Sequence, residues 1–490
     1  MDRKQGTVLG GFIWNFLERF AAQGVTLVVG IILARKLGTD AYGTVALVTA
    51  FISILTLFTG FSTGTALIQK KDADDLDFNS IFYFTALLSC VIYLLVFFSA
   101  PFVARFYERP ELTKMIRVLG IVILIQIFQG NQCVVVSRTL QFRLFFFATL
   151  GGTVGAAIIG VTMAYTGFGA WAIITQSVFN TLIDTVLLWF LVKWRPKLMF
   201  SWKRVQSLLG FSIKLWASNL LENLSVKIQG LVIGKVYTSS DLALYNKGES
   251  FPSTLVSSIN SSVNNVLFPT ISKLQDDRER VRYFTSRAIR FGSFVIWPLM
   301  VGLAACAKPM LSVLLGSEWV GCAIFVQVFC IGYAFLPIST ANLSAIKAIG
   351  RSDLILKLNT ILQITTIAVL FITVWFGPIW IAVGLVGVRM FGQILNAAPS
   401  RKLFGYGFIR QVRDILPAAV ISLIMGVFVY LISYMPIPDL FVLLIQVPAG
   451  ICIYVLLSLL FQKEMFRYAL SLLSNLRKKK TEDSTMNSSQ

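Results

Sequence analysis

The sequence predicts an all-α polytopic membrane protein with fourteen transmembrane helices, and three observations support this. Only 13% of the 490 residues are charged and 56% are hydrophobic, whereas soluble domains carry about a quarter charged residues. Apolar runs of about twenty residues, the length that crosses a bilayer core, recur along the chain. Basic residues are far more numerous in every second loop. Lipid is therefore the expected solvent for most of the chain.

Fourteen apolar runs between loop signals are the candidate spans. Their approximate cores are 10–33, 42–67, 79–104, 115–136, 145–165, 169–192, 208–234, 242–269, 288–307, 321–346, 354–376, 378–398, 414–434 and 439–461. The eighth is rich in Ser and Asn, and hydropathy alone would reject it. Rejecting it would turn all later basic loops to the opposite side, so we retain it. Such a polar helix is expected to line a water-filled cavity or to face protein.

Basic residues predict the orientation of the spans. With the N-terminus inside, the cytoplasmic segments hold 30 Lys and Arg residues and the opposite loops hold 8, as the positive-inside rule requires. Both termini are therefore expected in the cytoplasm. The net charge of +20 is spread over these short loops, so no nucleic-acid partner is expected. The first apolar run is too long for a signal peptide and is interpreted as a retained span.

Two similar stretches indicate an internal duplication. "NFLERFAAQ" (15–23) and "NLLENLSVK" (219–227) share Asn, Leu and Glu at the same positions. Six predicted spans separate them, so both copies have the same orientation. The sequence predicts a six-helix bundle over 1–200, a second over 201–400, and two more helices over 401–462. Transporters built from such parallel repeats bind substrate between the halves.

The C-terminal segment 463–490 is predicted to be a cytoplasmic, amphipathic and basic tail. Its first part, "KEMFRYALSLLSNLRKKK", ends in a cluster of Arg and Lys. A helix of this kind can lie on an anionic inner leaflet. The alternative, which we favour at this point, is a topology anchor with no other role.

Polar side chains inside the predicted spans indicate a cavity, because a charge at mid-bilayer costs about 2.5–3.5 kcal/mol. In spans 1 and 7 they recur every four residues and so share one helix face. The predicted substrate-binding residues are Asn15, Arg19, Gln23, Asn219, Asn223, Lys227, Lys247, Arg389, Gln129 and Gln363. The carboxylates predicted to couple transport to a cation, H⁺ or Na⁺, are Glu18, Glu222, Glu249 and Asp184.

Cations outnumber carboxylates inside the spans, which suits a phosphate or diphosphate, and the many amides and hydroxyls suit a sugar. Structural roles stay open for several residues: Asp184 could satisfy a neighbouring helix, Glu18 could pair with a cation, and Lys214 could snorkel. The sequence has no histidine, so proton coupling would fall to carboxylates. The six cysteines lie singly and are expected to be small buried hydrophobes. No catalytic residue, metal site or cofactor is predicted.

Several motifs resemble those of the polysaccharide flippases of the Wzx type, in the MOP superfamily. In order they are "ARKLGTDAYGTVALVTAFI", "RTLQFR", "GFGAWAI", "ALYNKGESFP", "LFPTISKLQDD" and "LLGSEW". The likeness runs from about residue 6 to residue 400 and is closest to exporters of the colanic or teichuronic acid type. One departure is that members often have Arg-Ala after the Tyr-Asn of span 8, where this chain has Lys247-Gly248-Glu249.

The resemblance implies two pseudo-symmetric six-helix bundles in a V-shaped, MATE-like arrangement, plus two C-terminal helices. It implies a flippase that moves undecaprenyl-diphosphate-linked oligosaccharide across the bacterial inner membrane for exopolysaccharide or lipopolysaccharide export. Transport would use ion-coupled alternating access, with a polysaccharide polymerase or export machinery as partner. One alternative is a MATE-like multidrug or cation antiporter, which would favour an acidic cavity. A second is a membrane glycan polymerase or ligase, which usually needs a long extracytoplasmic loop.

Overall fold

The computed structural model describes residues 2–59, 63–70, 72–139, 141–272, 274, 277–468 and 471. Some side chains within these ranges are outside the description, namely those of 2–20, 211, 214, 215, 217–219, 221, 222, 258, 262, 263, 265, 266, 269 and 352. The predictions that fall on side chains outside the description are those for Asn15, Glu18, Arg19, Lys214, Asn219 and Glu222.

The described chain consists of helices joined by short connections, which confirms the predicted all-α class. The helices are α1 (Asp2–Thr56), α2 (Thr63–Gln69), α3 (Asp75–Phe106), α4 (Glu111–Thr139), α5 (Phe142–Tyr165), α6 (Ala170–Leu191), α7 (Trp202–Val236), α8 (Ser239–Ser272), α9 (Arg278–Leu314), a 3₁₀ helix (Ser317–Cys322), α10 (Ala323–Ala334), α11 (Leu336–Ala348), α12 (Ser352–Thr373), α13 (Pro378–Phe404), α14 (Phe408–Ile432) and α15 (Asp439–Phe461). Predicted spans 3 to 9 correspond to α3 to α9, span 10 to α10 and α11, and spans 11 to 14 to α12 to α15.

Eleven segments of the described chain are long and apolar enough to cross a membrane. They count α1 once, although Gly38 within it has φ 72° and ψ −177°. Glycine adopts this left-handed conformation without the steric cost that a Cβ brings, and the backbone breaks there into two helices. The eleven do not include α7 and α8, which have 35 and 34 residues. Dividing α1 and adding α7 and α8 would give fourteen, and that number stays a prediction.

The chain forms two compact units, residues 1–243 and 244–490. In the first unit, aliphatic side chains of α1, α3, α4 and α6 form the core, among them Val48, Val96, Ile123 and Ile174. Helix α7 packs tightly on α1 in this unit: a methyl group added at Gly234 would lie 2.1 Å from Leu47 Cδ2. In the structure, therefore, α7 packs with α1 in the first unit, whereas the predicted duplication assigns α7 to the start of the second six-helix bundle. The predicted division at residues 200 and 201 stays a prediction.

The connection between α6 and α7, residues 192–201, is held against α3 by hydrogen bonds. The backbone N–H of Lys197 donates to Asn79 Oδ1 at 2.6 Å, and that of Ser201 donates to Ser80 Oγ at 2.9 Å. Asn79 and Ser80 are fully buried. Buried polar side chains need such partners, so this connection is an ordered part of the first unit.

In the second unit, α9 packs against α14 through Ala305, Cys306, Met425 and Val429. Two buried clusters of amides and hydroxyls join α11 to its neighbours. Ser339 of α11 bonds to Gln393 and Asn396 of α13 over 2.6–2.9 Å, and Asn342 of α11 bonds to Ser400 of α13 and Gln411 of α14 over 2.7–3.0 Å. Hydrogen bonds of this kind hold helices together in a low-dielectric interior.

The cysteines are less buried than the sequence suggests. Cys306, Cys322 and Cys330 are buried, Cys133 is half-buried, and Cys90 and Cys452 are exposed. The prediction of buried cysteines is therefore wrong for Cys90 and Cys452. Both lie on apolar helices, α3 and α15, so a small apolar side chain on their outer surface is compatible with lipid.

The predicted amphipathic tail begins as a helix. Residues 463–468 are helical, and Tyr468 packs edge-on against Phe291 of α9, with ring centroids 5.7 Å apart. The basic cluster at 477–480 lies outside the described residues.

Candidate functional site

A polar cavity of about 390 Å³ lies in the first unit among α2, α3 and α4. Its lining carries five hydroxyls and three amides, from Thr59, Thr63, Thr65, Thr85, Ser89, Gln126, Gln129 and Asn131. None of the described lining residues is charged. We call this the polar cavity. Uncharged donors and acceptors in a concave site suit a ligand that makes many modest hydrogen bonds.

Helical periodicity explains why the polar side chains of one helix line the same wall of the cavity. Thr85 and Ser89 are four residues apart on α3, and Gln126 and Gln129 are three apart on α4, so each pair shares a helix face. The hydroxyls of Thr59, Thr63 and Thr65 come from "TGFSTGT" (59–65), which begins in the turn after α1 and extends into the first turn of α2. Ser, Thr and Gly are common where helices begin and end, because their side chains bond locally or leave the backbone free.

Two predicted residues meet beside the polar cavity. Gln129 Nε2 donates to Asp184 Oδ2 at 2.6 Å, which joins α4 to α6. Gln129 lines the cavity, so Asp184 lies one hydrogen bond away from it. The Asp184 carboxylate thus accepts a hydrogen bond from a neighbouring helix, which is the structural role left open for it, and the donor is a residue that lines the cavity.

Two further amides of α4, Asn131 and Gln132, have structural partners. Asn131 Nδ2 donates to the carbonyl of Phe78 at 2.9 Å, and Gln132 Nε2 donates to the carbonyl of Trp194 at 3.1 Å. Both amides are buried. They fasten α4 to α3 and to the α6–α7 connection, and Asn131 also lines the polar cavity.

In the second unit, Glu249 of α8 and Arg389 of α13 form an ion pair. Tyr333 of α10 donates its hydroxyl proton to Glu249 Oε1 at 3.3 Å. The Arg389 guanidinium lies 4.2 Å from the centroid of the Tyr333 ring and 5.6 Å from that of Phe329. Arg389, predicted to bind substrate, and Glu249, predicted to couple transport to a cation, therefore neutralise each other beside two aromatic rings.

The structure gives a steric reason for the glycine in Lys247-Gly248-Glu249, where members of the family that the sequence resembles often have alanine. A Cβ added at Gly248 would lie 2.4 Å from Phe325 Cβ and 3.3 Å from the Phe325 carbonyl carbon. Alanine does not fit there without a shift of α8 or α10. Lys247 is half-buried on the same turn of α8.

Four other predicted residues have described side chains. Gln23 of α1 and Asn223 of α7 are exposed, whereas Lys227 of α7 and Gln363 of α12 are half-buried. Within the described part of the chain, no bond joins Gln23, Lys227 or Gln363 to another predicted residue. The structure thus brings together Gln129 with Asp184 and Glu249 with Arg389.

The hydroxyl side of the polar cavity is absent from the residues predicted from sequence. Thr59, Thr63, Thr65, Thr85 and Ser89 carry no charge and are common in apolar helices, so they did not stand out. Two signals could have found them: the Ser, Thr and Gly cluster at 59–65, and the four-residue spacing of Thr85 and Ser89.

Comparison with known proteins matches more than half of the chain to one family. Residues 32–324 match the family described as "Polysaccharide biosynthesis protein". The succinoglycan biosynthesis transport protein ExoT of Rhizobium meliloti is 25% identical over 345 residues, 70% of each chain. The teichuronic acid biosynthesis protein TuaB of Bacillus subtilis is 24% identical, over 59% of this chain and 61% of that one. The lipopolysaccharide biosynthesis protein WzxC of Escherichia coli K12 is 21% identical over 81% of each chain.

Solved structures show the same fold. The lipid II flippase MurJ in its inward closed conformation matches with a TM-score of 0.77 at 17% identity, over 93% of this chain and 100% of that one. An inward-facing MATE multidrug resistance transporter of the MOP superfamily matches with a TM-score of 0.60 at 13% identity, over 80% and 98%. At these identities the likeness concerns the fold alone.

Proposed function

Because the chain belongs to the polysaccharide biosynthesis protein family, which its residues 32–324 match, we propose that it is a flippase for lipid-linked oligosaccharides. The observation that carries this proposal is the polar cavity, whose described lining is all hydroxyl, amide and apolar. Such a lining bonds sugar hydroxyls without demanding a charge. The chain is a multi-pass membrane protein and a transporter, not an enzyme.

For the substrate in full, we propose a polyprenyl diphosphate that carries an oligosaccharide repeat unit for a cell-surface polysaccharide. The membrane would be the bacterial inner membrane, with both chain termini in the cytoplasm, as the excess of basic residues in alternate loops supports. The cations expected to attract the diphosphate are Arg19, Lys227 and Lys247. Arg389, also predicted to bind substrate, adds little net positive charge, because Glu249 neutralises it. The polyprenyl tail would stay in lipid.

For coupling to H⁺ or Na⁺, we propose Asp184 as the first residue to test. Its carboxylate accepts a hydrogen bond from Gln129, and Gln129 lines the polar cavity. Binding of a proton or cation by Asp184 would weaken that bond and release the amide for the glycan. Glu18, Glu222 and Glu249 stay proposals with less support, since Glu249 already pairs with Arg389.

The decisive experiment changes the polar cavity without touching the Gln129–Asp184 bond. Thr85→Val and Gln126→Leu keep side-chain size but remove hydrogen-bonding groups. Each should lower surface polysaccharide in a deletion strain several-fold at matched protein levels, because one lost hydrogen bond of about 1 kcal/mol weakens glycan binding about fivefold. Purified variants in proteoliposomes should move a fluorescent lipid-linked oligosaccharide more slowly.

Thr162→Val is the matched control, because Thr162 is an exposed hydroxyl on α5 that donates to the Ile158 carbonyl at 2.8 Å. It should export normally. Normal export by both cavity variants would remove the cavity from the mechanism. A deletion strain with intact surface polysaccharide but increased drug sensitivity would favour the antiporter, and joining of lipid-linked sugars by the pure protein would favour the polymerase.

A further inference from the structure

A second group of cavities lies in the second unit, where α9 begins, α14 begins and α15 ends. Two adjoining cavities of about 540 and 550 Å³ share Arg290, Glu464 and Met465 in their linings. Together the linings carry five basic and three acidic side chains, Arg282, Arg287, Arg290, Arg413, Lys463, Glu279, Asp414 and Glu464. We call this the basic pocket. None of its residues is among the predicted transport residues.

Part of the basic pocket is rigidly built. Arg290 pairs with Asp414 at 2.6 Å, and Asp414 also accepts hydrogen bonds from Ser286 at 2.7 Å and Tyr406 at 2.6 Å. Three donors therefore fix the position of this carboxylate, and it fixes Arg290 in turn. A guanidinium held in this way presents its remaining N–H groups in a set direction.

Arg287 is held by aromatic side chains rather than by a carboxylate. Its Nη1 donates to the Tyr283 hydroxyl at 2.6 Å, and its guanidinium lies 4.0 Å from the centroid of the Tyr468 ring. Tyr468 belongs to the helical turn after α15, which packs on Phe291 of α9. The start of the tail therefore forms one wall of the basic pocket.

Three other cations of the pocket are outside ion pairs in the described part of the chain. Arg282, Arg413 and Lys463 are exposed, and among the described residues none of them has a carboxylate within ion-pair distance. The two linings together hold five basic and three acidic side chains, so positive charge is in excess by two, and like charges in one concavity repel one another unless a further anion joins them. The pocket thus has the charge of a receptor for an anion, and the fork geometry of arginine suits a phosphate.

The cations border an apolar surface. Pro417, Leu460 and Phe461 line the pocket beside Arg413 and Lys463. Leu416, Leu460 and Phe461 are 54%, 61% and 72% exposed on α14 and α15, two helices apolar enough to span a membrane. A free phosphate would use only the charged half of this site, whereas a lipid would use both halves.

We propose that the basic pocket binds the headgroup of an anionic phospholipid, with the phosphate at Arg413 and Lys463 and the acyl chains along α14 and α15. On the predicted topology this end of the helices faces the cytoplasm, where the leaflet is anionic. The lipid is a resident ligand and not the transported molecule. This inference does not rest on the proposed function, and its test measures lipid binding rather than transport.

The test compares two double variants of the full-length purified protein by native mass spectrometry during titration with phosphatidylglycerol. Arg413→Gln/Lys463→Gln removes two charges from the pocket. Lys357→Gln/Lys402→Gln removes two exposed basic residues from the same predicted face, outside the pocket. We expect the pocket variant to bind phosphatidylglycerol about 30-fold more weakly, as the loss of two basic contacts near a membrane surface predicts. The control variant should bind like the native chain, and neither should bind zwitterionic phosphatidylcholine at this site.

Thermal unfolding of both variants without added lipid checks that they fold alike. Equal weakening in the two variants, or no weakening in either, would overturn the proposal. Release of phosphatidylglycerol by millimolar inorganic phosphate would overturn it in favour of a soluble anion. Displacement at lower concentrations by a polyprenyl diphosphate would overturn it in favour of the transported lipid.

Discussion

At the residue scale, the pairing of Glu249 with Arg389 changes what each side chain can do. The sequences of α8 and α13 alone predict that both charges are available to the substrate or the coupling ion. In the folded chain their side chains are 24% and 31% exposed and form an ion pair beside Tyr333. A charge in such a place is costly unless its partner stays, so the pair behaves as one neutral group.

Removal of one member of this pair should destabilise the protein more than removal of both. Arg389→Gln leaves Glu249 half-buried and unpaired, which should cost on the order of 2 kcal/mol, less than the 3–5 kcal/mol of a fully buried pair. Glu249→Gln/Arg389→Gln should recover most of that loss. Thermal unfolding in detergent provides the measurement, and equal stability of the single and double variants would contradict a structural role.

Gly248 should not tolerate the alanine that family members often carry after the corresponding Tyr-Asn. Its Cβ would lie 2.4 Å from Phe325 Cβ, so Gly248→Ala should lower stability by about 1–3 kcal/mol through overpacking. The control is Gly387→Ala in α13, where no atom would lie within 4 Å of the new Cβ. That change should be neutral or raise stability by up to about 1 kcal/mol, because alanine favours helix.

At the element scale, the start of α3 is held by a capping box and a set of charges. Asp74 accepts a hydrogen bond from the N–H of Asp77, and the Asp77 carboxylate accepts from the N–H of Asp74. Lys70 pairs with the fully buried Asp77 at 2.6 Å, and Arg204 of α7 pairs with Asp74 at 3.1 Å. Helix α3 is thereby tied to the end of α2 and to α7 within the first unit.

Acid should weaken this tie. The backbone hydrogen bond from Asp77 is the main reason that the pKa of Asp74 lies below its ordinary value, and Arg204 and Lys70 lower it further. A carboxyl whose pKa falls on folding stabilises the protein above its unfolded pKa, about 3.9, and loses that contribution as the pH falls towards the folded pKa.

Asp74→Asn keeps the capping oxygen but removes the charge. The native chain should unfold at a higher temperature than this variant at pH 7, and the two should converge below about pH 4. Thermal unfolding at pH 7, 5, 4 and 3 measures the difference. A difference that does not change over this range would show that the Asp74 charge does not contribute.

At the scale of the whole molecule, positive charge in the apolar helices should serve the anionic part of the cargo. Arg19→Ala, Lys227→Ala and Lys247→Ala, made singly, should each reduce surface polysaccharide at matched protein levels. A loss of about tenfold corresponds to about 1.4 kcal/mol, close to the lower end of the range for a hydrogen bond to a charged group. Unchanged export in all three variants would remove the charge-attraction hypothesis.

The sequence predicted the elements of this molecule better than their contacts. Composition and apolar runs determined the all-α membrane class and the positions of α3 to α15, because span length and composition follow from the thickness of lipid. Charged and amide positions were found readily, since such residues are rare in apolar helices. The hydroxyls at Thr85 and Ser89 were not, because threonine and serine can satisfy themselves on their own helix.

The sequence by itself determined that the chain is a membrane protein and which of its segments are helical. It also identified the polar side chains whose burial in lipid would cost too much free energy unless they have a structural or functional role. These properties follow from local composition and period. Only the tertiary structure decided that Gln129 meets Asp184, that Glu249 neutralises Arg389, and that five basic side chains of α9, α14 and the tail converge on one pocket. Gln129 and Asp184 are 55 positions apart in the chain, and Glu249 and Arg389 are 140 apart. Helix packing brings such distant residues within bonding distance, and no local sequence pattern encodes it.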